Sequence, residues 1–290
     1  MFLIATLVVI AALAIASWTD LKTREVPDWL SYALIGFGIA GGIIASLVFQ
    51  TWTYLAYSLA GLLAFVAIAY LMFYAGQWGG GDSKLIMGIG AVLGFEFSTK
   101  APFINSENLI IAFWLNMLIV GVLYAVLWTF VLAAKHPRKV RKSFGEQIKK
   151  SKMLRNIVFA TTIFLLLLSF LPKDEGLRMA IYMLAVIGFA TFYLLALVRA
   201  VEKACMYNLR APEELTEGDW IAKDIAFKGK HICGPKDLGI EKKQIKQLVE
   251  LRRRGKITKV LIKEGIPFVP SFLVSFLVTL QFGNVLFLLL

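Results

Sequence analysis

Cysteine and histidine are scarce in this chain: two of each occur in 290 residues, and no CxxC pair is present. Cys205 and Cys233 lie 28 positions apart, with His231 beside one of them. A zinc site needs about four ligands at tighter spacing, so these read as packed or free thiols rather than as a metal centre. No metal or cofactor site is read anywhere in the chain. Charge is also thin, at 17% of residues, and no repeat of 20 to 50 residues is visible, which removes solenoid architectures. The first run, "FLIATLVVIAALAIASW", has no basic segment before it and no convincing cleavage site after it, so it reads as a retained first span rather than a signal peptide.

What the chain has in abundance is apolar sequence. Hydrophobic residues make up 59%, 22 Phe and 7 Trp fall mainly inside long apolar runs, and mean hydropathy is +0.73. A soluble domain does not carry such a composition, whereas a membrane-spanning helix needs about 20 apolar residues to cross a ~30 Å core. Eight runs stand out, at about 2 to 19, 29 to 49, 53 to 75, 83 to 97, 108 to 134, 156 to 172, 177 to 198 and 267 to 290. The expected fold is all-α and polytopic, with about eight spans in membrane lipid.

A net charge of +12 would suggest nucleic acid in a soluble protein, but in a membrane chain its distribution matters more. With the N-terminus outside, 28 of the 31 Lys and Arg fall on the cytoplasmic side, and only Lys100, Lys173 and Arg178 fall opposite. The positive-inside rule thus selects an N-out, C-out arrangement in the cell membrane and gives no role to nucleic acid. Five regions follow. Residues 1–134 form a membrane core of five spans, 135–155 a basic linker facing lipid headgroups, and 156–198 an additional transmembrane hairpin. Residues 199–266 form a small cytoplasmic module and 267–290 a final span. Within the module, Ile240, Ile245, Leu248 and Leu251 recur at helical spacing up to Gly255, as in an amphipathic helix.

Two acidic residues sit where a carboxylate is costly. Asp20 ends the first span in "SWTDLKTREVPD", and Asp82 begins the fourth in "GGGDSKL". The topology puts both at one depth on one side, so they can meet. Two readings are open: a pair of carboxylates that shares chemistry, or an end-of-helix aspartate paired with Lys22 or Arg24 and an N-cap at Asp82. Gly79, Gly80 and Gly81 favour the first, because three residues without a Cβ let an extended peptide or another helix approach Asp82 closely. Two apposed carboxylates share one proton, leaving one as acid and one as base toward a water, which is the chemistry of an aspartic protease.

"GGGD" at 79–82 resembles the GxGD motif of membrane aspartic proteases. "DLKTREVPD" at 20–28 resembles the segment after the first span of type IV prepilin and archaeal preflagellin peptidases (peptidase family A24), and "EGIPFVPSFLVSF" at 264–276 is similar to the start of their final span. The resemblance implies a catalytic pair at Asp20 and Asp82, a six-span core, and cleavage of a short basic leader from pilin-like or archaellin precursors. Eight runs rather than six make the hairpin at 156–198 an insertion. The lack of a CxxC zinc loop favours the archaeal, peptidase-only type. Pro267 and Pro270 either shape a substrate channel or start the last helix. Helix dipoles favour Asp82, at a helix start, as the anion and disfavour Asp20, at a helix end. The rival class is a transporter or channel that uses Asp20 and Asp82 to bind cations or relay protons, which would call for carboxylates nearer mid-membrane and matching breaks in two halves.

Overall fold

The computed structural model describes residues 2–95 and 108–288. Among the described residues the chain is mostly helical, and five helices are long and apolar enough to cross a membrane, or six if one bent pair counts as a span. The five are α1 (Phe2–Thr23), α2 (Asp28–Val48), α3 (Thr53–Tyr74), α5 (Leu109–Lys135) and α8 (Glu175–Cys205). Three of the eight expected runs form shorter helices: α4 (Gly80–Leu93) and α10 (Val269–Phe282) have 14 residues each, and α7 (Lys152–Leu168) has 17. Their ends have local causes. Gly94 and Gly283 adopt left-handed φ of +67° and +66° and stop α4 and α10, while Gly80 and Gly81 enter the first turn of α4 instead of forming a loop before it.

Two compact units make up the chain. The first holds residues up to Ala125 together with 211–258 and 265–290. Its core is α4 set between α2 and α3 with very little separation. A Cβ on Gly61 would lie 2.2 Å from the Gly90 carbonyl oxygen, and one on Gly88 would lie 2.7 Å from the Leu34 Cβ. Small residues are what let membrane helices touch backbone to backbone, where burial from water gives no drive between them. The Ser58 hydroxyl adds a 2.8 Å hydrogen bond to the Ala91 carbonyl. The last helix joins through aromatic rings: Phe272 meets Trp78 at 5.3 Å, and Phe276 meets Phe113 of α5 at 5.7 Å.

Deep in this unit Asn116 of α5 is fully buried and ties down the far end of α10. Its amide donates to Thr279 Oγ1 at 2.9 Å and to the Gly283 carbonyl at 2.7 Å, and its oxygen accepts from the Val285 amide at 3.0 Å. The polar part of the unit departs from the all-α expectation. It carries short strands, β2 (Trp220–Ile221) and the antiparallel pair β3 (Ile225–Phe227) and β4 (Lys230–Cys233), beside α9 (Lys242–Arg253). Alternation over two to four residues is too short to read from sequence, so only α9 was legible. Its Leu248 and Leu251, with Ile240 just ahead, are buried in the module's own core.

The second unit, 126–210 with 259–264, contains the end of α5, then α6 (Pro137–Lys150), α7 and α8. The basic stretch expected as a linker is thus largely helix α6. Pro137 starts it, and at Ser151 the chain turns by 79° into α7. α6 packs along α8, where Glu146 pairs with Lys203 at 2.7 Å. α7 buries none of its residues, and Ile157, Phe164 and Leu167 are open to the surroundings, as suits a helix facing hydrocarbon. Strands β1 (Tyr207–Arg210) and β5 (Val260–Lys263) pair antiparallel at the polar end. Replacing Asn116 by Leu removes all three of its bonds inside the core of the first unit. The variant is expected to lose about 1–2 kcal/mol, seen as a lower unfolding midpoint in detergent micelles.

Candidate functional site

Asp20 sits in the last turn of α1 and is 5% exposed. A carboxylate so enclosed needs donors, and they come from the far end of the chain: the Val269 amide, first in α10, donates to Asp20 Oδ2 at 2.9 Å, and the Phe268 amide also faces the carboxylate. The Arg24 charge lies nearby, and Arg24 itself takes a left-handed φ of +63° and donates to the Gly265 carbonyl at 3.2 Å. The connection after α1 and the segment before α10 are therefore pinned together. Pro270 is the second residue of α10, where its missing N–H costs nothing, and Pro267 lies in the segment just before. Both prolines thus frame the turn that offers its amide to Asp20.

Asp82 is the third residue of α4 and is half-buried. Its Oδ2 accepts from the Gly79 amide at 3.2 Å, so Asp82 is not itself the N-cap weighed from sequence but the third helical residue, reaching back to the N-cap Gly79. That contact does not exclude the other reading, because Asp82 also lies within the field of the Asp20 charge. The two aspartates that the sequence singled out, one at the end of α1 and one at the start of α4, thus lie within reach of each other's charge. The dipole argument for telling them apart does not survive: a helix N-terminus faces each of them, α4 for Asp82 and α10 for Asp20.

The glycines work differently from expectation. At Gly81 the close approach is made by the chain's own Val26, whose Cβ would lie 3.0 Å from an added Cβ, with the Val26 nitrogen at 3.3 Å. Gly79 faces the Asp82 carboxylate, and Gly80 has only Phe73 near it, at 3.9 Å. The loop before them is anchored on both sides. Trp78 is buried against Trp114 and Phe272, and Gly76, at φ +68°, leaves room for the Trp220 ring edge 3.0 Å from where its Cβ would be. Lys84 reaches α2 with two contacts to Asp28, at 2.8 and 2.9 Å, and lies 5.9 Å from the Tyr32 ring centre. Trp220, the Val269 amide and the Asp28–Lys84 pair were not found from sequence. The signal for the pair was present, since Asp28 closes "DLKTREVPD" and Lys84 follows "GGGD".

Among the described residues no cluster of His, Cys, Asp and Glu could hold a metal ion. Both cysteines are free, and burial, with Asp237 and Asp224 adding to it, pushes the Cys233 thiol up to about 11, so it stays protonated near neutral pH.

This arrangement of a buried carboxylate at the end of α1 and a half-buried one on the GxGD turn can be set against known proteins. Residues 7–136 match the type IV leader peptidase family. That segment holds both Asp20 and Asp82, and the resemblance read from "GGGD" and "DLKTREVPD" is the one the family match finds. The preflagellin peptidase of Methanococcus maripaludis is 29% identical over 123 residues, covering 41% of this chain and 53% of that protein. The preflagellin peptidase of Methanocaldococcus jannaschii is 37% identical over 81 residues, 28% of this chain and 34% of that protein. The chain thus spans about half or less of these relatives' length. The prepilin peptidase EppA of Methanothermobacter thermautotrophicus is 19% identical in an alignment of 371 positions that covers 99% of this chain and 96% of that protein. No solved structure matches the chain. Helix α10, whose amide reaches Asp20, lies beyond the leader peptidase segment.

Filling the space at Gly81 tests this geometry. Gly81→Leu drives a side chain into Val26 and is expected to cost about 1–3 kcal/mol, read as a lower unfolding midpoint, while Gly145→Leu, with open space around it, leaves the midpoint near wild type.

Proposed function

We propose that this protein is a membrane aspartic endopeptidase that removes a short basic leader from type IV pilin-like or archaellin precursors at the cytoplasmic boundary. The observation that supports the reading is that Asp82 lies within the field of the Asp20 charge, inside a segment that matches the leader peptidase family. In this mechanism the pair shares one proton. The ionised carboxylate takes a proton from water as its oxygen attacks the scissile carbonyl, and the protonated one gives its proton to the carbonyl oxygen. The tetrahedral diol then collapses: the carboxyl that took the water proton gives it to the leaving nitrogen as the C–N bond breaks, and a diol hydroxyl returns its proton to the other carboxylate, which restores the shared-proton pair.

Eight crossings, N-out and C-out, fit the segregation of Lys and Arg. The helices α4 and α10, of 14 residues each, correspond to two of those eight runs. The cytoplasmic side is then the side of "DLKTREVPD" and "GGGD". A transporter reading is not favoured, because the carboxylates stand at helix ends and the matched family is one of peptidases.

The test is to mix the purified full chain with archaellin and pilin precursors. Wild type is expected to release the leader, with a bell-shaped pH dependence whose two limbs belong to the pair. Asp20→Asn and Asp82→Asn are each expected to lower cleavage by about a thousandfold or more. Cleavage that persists in both variants removes the aspartic mechanism.

A further inference from the structure

Asp28 and Lys84 flank the two aspartates but take no part in the mechanism above. Asp28 lies eight positions after Asp20, and Lys84 two positions after Asp82. On a helix that advances about 100° per residue, Lys84 points roughly opposite to Asp82, so it meets α2 while Asp82 meets Asp20. The Lys84 ammonium contacts both oxygens of Asp28, which is the first residue of α2, and lies over the Tyr32 ring one turn further along that helix. Glu217 is also within its field. In the link before Asp28, Val26 fills the space left by Gly81.

We infer that Asp28 and Lys84 form a positioning brace that sets the separation of Asp20 and Asp82. The connection closes a ring: Asp20, a non-helical link of four residues from Arg24 to Pro27, Asp28, the ion pair, Lys84, and Asp82. The side chains are 37% and 57% exposed, so the pair adds little to stability, as exposed ion pairs generally do. Its effect is one of register. When the pair is broken, the N-terminus of α4 keeps its glycine contact with Val26 but loses the hold that fixes its rotation. Misplacing a reacting group by about 1 Å costs up to about a hundredfold in rate.

The inference rests on the reading of Asp20 and Asp82 as the reacting pair, and two measurements separate the two claims. In precursor cleavage, Lys84→Met and Asp28→Asn are each expected to lower kcat by about tenfold or more while KM stays within about twofold. The reversal Asp28→Lys with Lys84→Asp recovers most of that loss, and Lys84→Arg keeps most of the wild-type rate. The second measurement needs no activity. With Cys205 and Cys233 replaced by Ser, oxidative cross-linking of Asp20→Cys to Asp82→Cys is expected to slow about tenfold when Lys84→Met is added. A cross-linking rate unchanged by Lys84→Met overturns the brace whether or not the precursor is cleaved. So does a Lys84→Met enzyme with wild-type kcat. If the reversed pair fails to fold, Lys84→Arg no better than Lys84→Met in cross-linking has the same consequence. Absence of cleavage by wild type, with the cross-linking effect intact, counts against the peptidase reading alone.

Discussion

The contact on which the site depends is a single hydrogen bond between distant parts of the chain, from the Val269 amide to the Asp20 carboxylate. A carboxylate enclosed among apolar helices is costly unless donors face it. Here the donor is the unsatisfied first amide of a helix, with the helix dipole behind it. The same helix then packs Phe272 on Trp78, which leads into the glycine turn, and its far end is tied by Asn116. One short helix thus reaches Asp20 directly and the Asp82 turn through an aromatic contact. Its full length is fixed at both ends.

The membrane class, the choice of Asp20 and Asp82 as the two carboxylates that stand out, and the family resemblance were legible in the sequence because each rests on a local signal. Apolar runs, the sidedness of Lys and Arg, and two short acidic motifs all survive without knowledge of tertiary packing. Lengths and ends were not legible in the same way. The run at 267–290 reads as one span, yet Gly283 turns the chain and Asn116, from another helix, accepts the Val285 amide just beyond. Within the module, strands of two to four residues have no readable period, and α6 looked like a linker because its apolar residues are few and its main packing partner is the distant α8.

The glycines show how a correct emphasis can carry the wrong mechanism. Three in succession do signal close approach, and the sequence cannot say by what. At Gly81 the visitor is Val26, and at Gly76 it is Trp220 of the polar module. Space beside Asp82 is therefore used first for internal assembly, and close packing of α4 by glycine continues at Gly88 and Gly90.

Synthesis of the chain gives the Asp20–Val269 bond a temporal meaning. Asp20 and Asp82 leave the ribosome early, and Val269 follows 249 positions after Asp20. Until α10 has been made, the first aspartate lacks its amide and the glycine turn lacks Phe272. A nascent chain therefore carries both carboxylates for most of its translation without the geometry that joins them.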